Sequence, residues 1–295
     1  MRLLITGSNG LLGQKIVAQL LRKNKSFIAT SLGENRNPDC PAHLYAPLDI
    51  TSEDEIEAII LKEKPDAIIN TAAMTNVDAC EEEEEKCRLI NVGAVENLYK
   101  ASEKHQLFLT HLSTDFVFDG NKGLYTEEEE RNPLSIYATS KRDSEDILMN
   151  GSYTNWAILR TIIVFGEGNN LSRSNIVLWA KEALRSGKEL TIVNDQFRAP
   201  TWADDLAWAC IRACEIRAKG VFHISGPETF SIYECVKRIA DFYGYDSALV
   251  QPISSISLNQ KAKRPPKTGF DISKAQKILG YAPLKFEESL EKLKN

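Results

Sequence analysis

The chain has 295 residues, 36 Lys+Arg against 41 Asp+Glu, a formal net charge of −5, and 43% hydrophobic residues. That length and balance fit one large or two modest globular domains, and the acidic surplus argues against nucleic acid or an anionic membrane as a partner. No apolar run approaches the ~18 residues of a membrane span, and the opening MRLLITGSNG is too polar for a signal-peptide core, so the expected location is cytoplasmic.

Short, near-continuously apolar runs alternate with amphipathic ones. Strands are predicted at 3–6 (LLIT), 27–31 (FIATS), 67–73 (AIINTAA), 107–113 (LFLTHLS) and 156–161 (WAILRT), with a third strand in chain order ending at Asp49-Ile50. Helical periodicity falls at 12–23, 52–64, 79–104 and 137–149, and Ser52 with Glu55 reads as a capping box. After about residue 165 the pattern changes to a polar loop (166–175), a helix to about 187 and a short strand, LTIVN. A helix at 202–217 and a strand at 221–225 return to the first sheet. Helices at 231–243, 271–279 and 286–294 follow, with the link KAKRPPKTG (261–269) between the first two. The β-α alternation predicts an α/β fold: a doubly wound parallel sheet with a smaller, mostly helical C-terminal substrate lobe. Residues 1–165, rejoined by about 202–226, make the dinucleotide-binding domain; 166–201 and 227–295 make the lobe.

The six cysteines (40, 80, 87, 210, 214, 235) form no C-x-x-C, and the four histidines are scattered, so reduced buried thiols and no metal site are expected. The glutamate runs 81–85 and 127–130 point in all directions on a helix and read as solvated.

Three motifs carry chemistry. Gly7-x-x-Gly10-x-x-Gly13 follows the first strand and opens a helix. Glycines there allow a tight turn and close approach of a pyrophosphate, and the helix N-terminus at Leu11 and Leu12 supplies N–H donors; a purely structural turn is the alternative. The second strand ends in Thr30-Ser31, without the acid that binds a ribose 2′-hydroxyl, and Arg36 follows. This tilts the choice toward NADP(H), with NAD(H) the alternative and a solvated Arg36 the bland reading. Asp49 and Ile50 lie where the adenine would sit. Tyr137 and Lys141, spaced i,i+4, put phenol and ammonium on one helix face, and the ammonium is expected to draw the tyrosine pKa down toward the working range. Ser113-Thr114-Asp115 stands at the carboxyl end of the fifth strand, the edge where open α/β sheets bind ligands. Residues after the fourth strand share that edge, with Ala72 and Ala73 candidates for cofactor contact and Thr75, Val77 and Asp78 for a sugar.

In this order the motifs resemble the extended short-chain dehydrogenase/reductases, a Rossmann superfamily acting on nucleotide sugars. The blocks Asn70–Asp78, Ser113–Gly120, Asn194–Thr201 and Arg264–Asp271 resemble the dTDP-4-dehydrorhamnose reductase family across almost the whole chain. The resemblance implies NADPH-dependent reduction of a nucleotide-linked 4-keto sugar, with Thr114, Tyr137 and Lys141 as the catalytic set. It also implies a lysine on the nicotinamide ribose, and Arg264 is expected on the substrate diphosphate. Ile163 stands at the family's tryptophan position, Arg198 where a small residue is commoner, and Lys15 where some members have a metal-binding glutamate. A nucleotide-sugar epimerase or dehydratase, and a non-catalytic regulatory subunit like that of methionine adenosyltransferase, stay open as alternatives. No long heptad pattern decides between monomer and homodimer.

Overall fold

The computed structural model describes residues 1–258 and 260–293. Seven strands, β1 (Arg2–Thr6), β2 (Ser26–Ser31), β3 (Tyr45–Pro47), β4 (Ala67–Asn70), β5 (Phe108–Thr114), β6 (Trp156–Thr161) and β7 (Gly220–Ile224), pair in parallel in the order β7-β6-β5-β4-β1-β2-β3. The order reverses between β1 and β4. A crevice opens there at the carboxyl ends of the strands.

The helices are α1 (Leu11–Arg22), α2 (Glu53–Glu63), α3 (Val77–Glu82), α4 (Glu84–Arg88), α5 (Ala94–His105), α6 (Ile136–Asn150), α7 (Ile176–Arg185), α8 (Ala203–Glu215), α9 (Ile232–Tyr243), α10 (Ser273–Leu279) and α11 (Phe286–Glu291). Alternation along β1 sorts its residues between two cores. Leu3 and Ile5 pack with Ile16, Val17 and Leu20 of α1 and Leu206 of α8, while Leu4 packs with Ile56 and Ile60 of α2 and Leu98 of α5. Each such fully buried side chain contributes about 1.5–3 kcal/mol. The strands read as unbroken apolar runs because helices cover both faces. A third core joins α7, the strand Leu190–Val193, α9 and α11. Phe270, Ala275, Leu279 and Tyr281 pack instead with the α1 side of the main sheet. A small sheet sets Phe197–Arg198 between Phe230–Ser231 and Lys267–Phe270, so the 194–201 and 264–271 blocks lie side by side.

The structure departs from expectation in several boundaries. The helix predicted over 79–104 is broken at Glu83 and widened into a π-turn at Leu89–Gly93. Asn91, on that turn, is drawn inward: Nδ2 donates to Met74 O at 3.0 Å and to Ser140 Oγ at 3.0 Å, and Oδ1 accepts from Met74 N at 2.8 Å. Strand β4 stops at Asn70 rather than 73, because the Thr71 hydroxyl takes the Thr6 carbonyl at 2.6 Å and the chain leaves the ladder. Strand β3 ends at Pro47, so Asp49 and Ile50 follow it on a loop. The last helix ends at Glu291, and position 294 of its predicted span lies outside the described residues. The glutamate runs are only partly solvated. Glu81 accepts from Ile136 N at 2.8 Å, and Glu127 accepts from His223 N at 2.9 Å.

Candidate active site

A cleft of about 920 Å³ runs along the carboxyl edge of the sheet. Its floor begins at the glycine-rich turn. Gly7 has φ +67°, and a Cβ there would lie 2.7 Å from Ala72 N, so only glycine lets β1 and the loop after β4 approach this closely. A Cβ at Gly13 would lie 2.5 Å from Ser8 Cα, which fixes how tightly α1 folds back on its own turn. Gly10 gives α1 no side-chain cap, and no acidic residue occupies the first turn, so the opening amides stay free for an anion. The buried Ser113 hydroxyl, on the cleft wall, has no hydrogen-bond partner. These features fit a dinucleotide.

At the far end of β2, Thr30 turns into the sheet and donates to Ile5 O at 2.9 Å, leaving Ser31 and Leu32 on the cleft wall. Asn9 ties this loop to the glycine turn, donating to Glu34 O and accepting from Arg36 N, both at 2.8 Å, and so sets the exposed Arg36 at the rim. Leu11, Leu12, Asp49, Ile50, Ala72 and Ala73 line the same end.

Thr114, Tyr137 and Lys141 line the middle of the cleft. Ser135 caps α6 through Ala138 N, and Glu81 takes the Ile136 amide, so the helix carrying Tyr137 and Lys141 is pinned at its first turn. Thr114 Oγ1 donates to Asp115 Oδ1 at 3.1 Å and accepts from Phe116 N at 3.2 Å. The Phe116 ring meets Tyr137 edge-on, with centroids 6.0 Å apart. The expected lowering of the tyrosine pKa is not what the structure has. Burial holds the phenol well above its ordinary value, and the nearby Thr114 hydroxyl only partly opposes this, so the phenol keeps its proton at neutral pH. The reason is where the amine points: Lys141 Nζ turns under the sheet to His111 Nε2 at 3.1 Å. Lys141 is 2% exposed, and burial lowers its pKa to about 8.

Thr75 and Val77 also line the cleft, whereas Asp78 and Arg264 do not. Those two bind each other instead. Arg264 grips Asp78 with both terminal nitrogens (2.7 and 3.2 Å), and that bond holds the Asp78 carboxyl below its usual range. A diphosphate would have to displace Asp78 to take Arg264 from this position.

Sequence reasoning missed four neighbours. His111 and Asn91, hidden in apolar or helical runs, carried no motif. Arg173, in the 166–175 loop, lines the cleft and donates to Thr75 Oγ1 at 3.0 Å. Asp115 was read only as a strand-end neighbour of Thr114. It is buried and takes a hydrogen bond from Thr268 and charge from Arg198, whose Nε lies 3.6 Å away. Arg198 itself is 2% exposed and donates to Pro265 O at 2.6 Å and Phe197 O at 2.7 Å, tying the Pro-Pro link to the end of β5. Lys15 pairs with Asp204 at 3.3 Å. Among the described residues there is no cluster of three His, Cys, Asp or Glu placed to hold a metal.

Over residues 1–295 the chain matches the family model described as RmlD substrate binding domain. The chain belongs to that family. A dTDP-4-dehydrorhamnose reductase of Aggregatibacter actinomycetemcomitans is 33% identical over 99% of this chain and 98% of its own. Methionine adenosyltransferase 2 subunit beta of Xenopus tropicalis is 32% identical over 94% of this chain and 82% of its own. The solved dTDP-4-dehydrorhamnose reductase of Bacillus anthracis, in complex with NADP, is 26% identical, covers 99% of this chain and 97% of its own, and superposes with a TM-score of 0.85. This RmlD-family chain therefore shares its fold and its length with nucleotide-sugar reductases. No helix among the described residues is long and apolar enough to cross a membrane.

Proposed function

We propose that this protein is an NADPH-dependent reductase of a nucleotide-linked 4-keto sugar, taking dTDP-4-dehydrorhamnose to dTDP-rhamnose in the cytoplasm. The observation that carries the reading is the meeting of Thr114, Tyr137 and Lys141 in the cleft that begins at the glycine turn. NADPH, when bound, supplies the hydride that the carbonyl carbon receives. Gly7, Gly10, Gly13 and the amides of Leu11 and Leu12 hold the pyrophosphate, Asp49, Ile50, Ala72 and Ala73 frame the nucleoside, and Arg36 meets the 2′-phosphate. Tyr137 gives its proton to the ketone oxygen as the alcohol forms, and its raised pKa keeps that proton in place until then. Thr114 holds the same oxygen, and Lys141 holds the nicotinamide ribose. Thr75 and Val77 face the sugar, and the chain segments 166–201 and 227–295 supply the substrate lobe, fastened at its link by Asp78 and Arg264. NAD(H) is the alternative cofactor.

The methionine adenosyltransferase relative favours a second reading, a non-catalytic subunit built on the same fold. The complete Thr114, Tyr137, Lys141 set stands against it. The test mixes pure protein with NADPH and a panel of nucleotide 4-keto sugars and follows NADPH absorbance. The first reading predicts turnover with dTDP-4-dehydrorhamnose. No turnover with any of them, together with tight binding of a methionine adenosyltransferase catalytic subunit, supports the second.

A further inference from the structure

Thr6, Asn70 and His111 stand at one register position on β1, β4 and β5, with Thr6 opposite Asn70 and Asn70 opposite His111. All three are buried, and their side chains form a chain. Thr6 Oγ1 donates to Asn70 Oδ1 at 2.6 Å, Asn70 Nδ2 lies 3.1 Å from His111 Nδ1, and His111 Nε2 lies 3.1 Å from both Lys141 Nζ and Ser144 Oγ. The proposed reaction uses only the last link, Lys141.

The outer contacts fix the direction of every proton. Asn70 Oδ1 accepts from Thr6 and from Ala72 N at 3.3 Å, so the amide nitrogen is the atom facing the ring. An amide nitrogen only donates, so Nδ1 presents a lone pair and a neutral imidazole carries its proton on Nε2. Burial keeps His111 neutral. Ser144 donates its own proton to Lys141 O at 2.7 Å, so its oxygen can also accept, and the single Nε2–H is shared between Ser144 Oγ and Lys141 Nζ, both 3.1 Å away. Lys141 Nζ therefore faces an N–H. An ammonium is repelled by that group, while an amine lone pair is welcome there.

We propose that His111 is a positioning residue that keeps Lys141 a free amine at mildly alkaline pH in the cofactor-free protein, so that Lys141 takes up its proton as the dinucleotide binds. Glu145, one turn along α6, and Cys87 act in the opposite sense on Nζ, but Glu145 already pairs with Arg160 at 2.7 Å and Arg131 at 3.1 Å. Burial, working against Glu145 and Cys87, brings the amine to about 8, and the facing N–H acts in the same direction as burial. The phosphates of a dinucleotide supply the anionic charge that reverses the balance. The inference rests on the proposed cofactor but not on the identity of the sugar.

Two measurements on the unaltered protein test it. In lysine-labelled NMR, with Lys141 assigned from Lys141→Met, the cofactor-free amine titrates at least about two pH units below the exposed lysines (ordinary value ~10.4). Calorimetry of NADP⁺ binding at about pH 9, where an amine titrating near 8 is mostly unprotonated, in buffers of different ionisation heat, reads uptake of close to one proton, since the 2′-phosphate is already ionised there. Asn70→Asp puts a carboxylate against Nδ1, draws the ring proton to it and turns a bare Nε2 to the amine. In that variant Lys141 titrates more than about one pH unit higher and proton uptake falls away. A Lys141 that titrates with the surface lysines, or binding without proton uptake in the unaltered protein, overturns the proposal, as does an Asn70→Asp protein with unchanged titration. Failure to bind NADP⁺ at all would defeat the reductase reading, while the NMR titration would still decide the state of Lys141.

Discussion

Replacing Gly7 by alanine separates the two demands that the structure makes on that residue. Its φ of +67° strains any L side chain, and its Cβ would lie 2.7 and 2.8 Å from the N and Cα of Ala72, backbone atoms that cannot swing aside. The left-handed conformation costs about 1–2 kcal/mol, and forcing a methyl into packed backbone costs about 1–3 kcal/mol more. Gly33 is the internal control, because it has φ +76° but nothing within 4 Å of its Cβ, so Gly33→Ala carries the conformational cost alone. At about 2 °C per kcal/mol for a chain of this size, Gly7→Ala should lower the melting temperature by roughly 4–10 °C and Gly33→Ala by roughly 2–4 °C. The larger effect should also reach the cofactor, because the displaced Ala72 lines the cleft. Differential scanning fluorimetry and NADPH fluorescence titration of both variants provide the measurement. Equal melting temperatures and equal NADPH affinities in the two would refute the close-approach argument.

Arg36→Ala should weaken NADPH about tenfold and NADH hardly at all, as an exposed arginine on the 2′-phosphate would at the low end of a charge-assisted bond; equal weakening of both removes Arg36 from that role. Burial raises the Asp205 pKa to about 6 although it accepts from Leu284 N at 2.9 Å. A carboxyl raised on folding stabilises below its unfolded value and loses that contribution as pH rises through about 6. Asp205→Asn, which keeps the acceptor, should therefore be more stable than the parent by about 1–2 kcal/mol at pH near 7.5 after allowance for solvent screening, with the gap closing between about pH 6 and 4. Parallel stability–pH curves would contradict that assignment.

The parts of the fold that were legible in the sequence are those where one local rule acts alone. Apolar runs such as LLIT and WAILRT became sheet strands, and Ser52 caps α2 through Glu55 N, although the Glu55 carboxylate takes Asp49 N rather than Ser52 N, so only half of the expected capping box forms. The glycine turn and the Tyr137–Lys141 spacing could be read because backbone geometry demands those residue types at those intervals. What escaped was tertiary. Nothing in the pattern 79–104 announces a π-turn, since Asn91 widens the helix only to reach Met74 and Ser140 on other segments. The direction of the Lys141 amine depends on His111, which sits at the middle of an apolar strand and becomes meaningful only once Asn70 is its neighbour in the sheet. Arg264 was expected on the substrate diphosphate, and its partner in the structure, Asp78, lies 186 residues away in sequence. Arg198 looked out of place in its block until the carbonyls of Pro265 and Phe197 surrounded it.

The most direct test of the reductase assignment is the rate of NADPH oxidation with dTDP-4-dehydrorhamnose in the unaltered protein and in Tyr137→Phe, with NADPH affinity measured alongside. The unaltered protein should consume one NADPH per sugar reduced. The phenylalanine variant should bind NADPH normally and turn over roughly 10²–10⁴-fold more slowly, the usual worth of a positioned proton donor. Full turnover by Tyr137→Phe, or no NADPH oxidation by the unaltered protein with this sugar, would contradict the account.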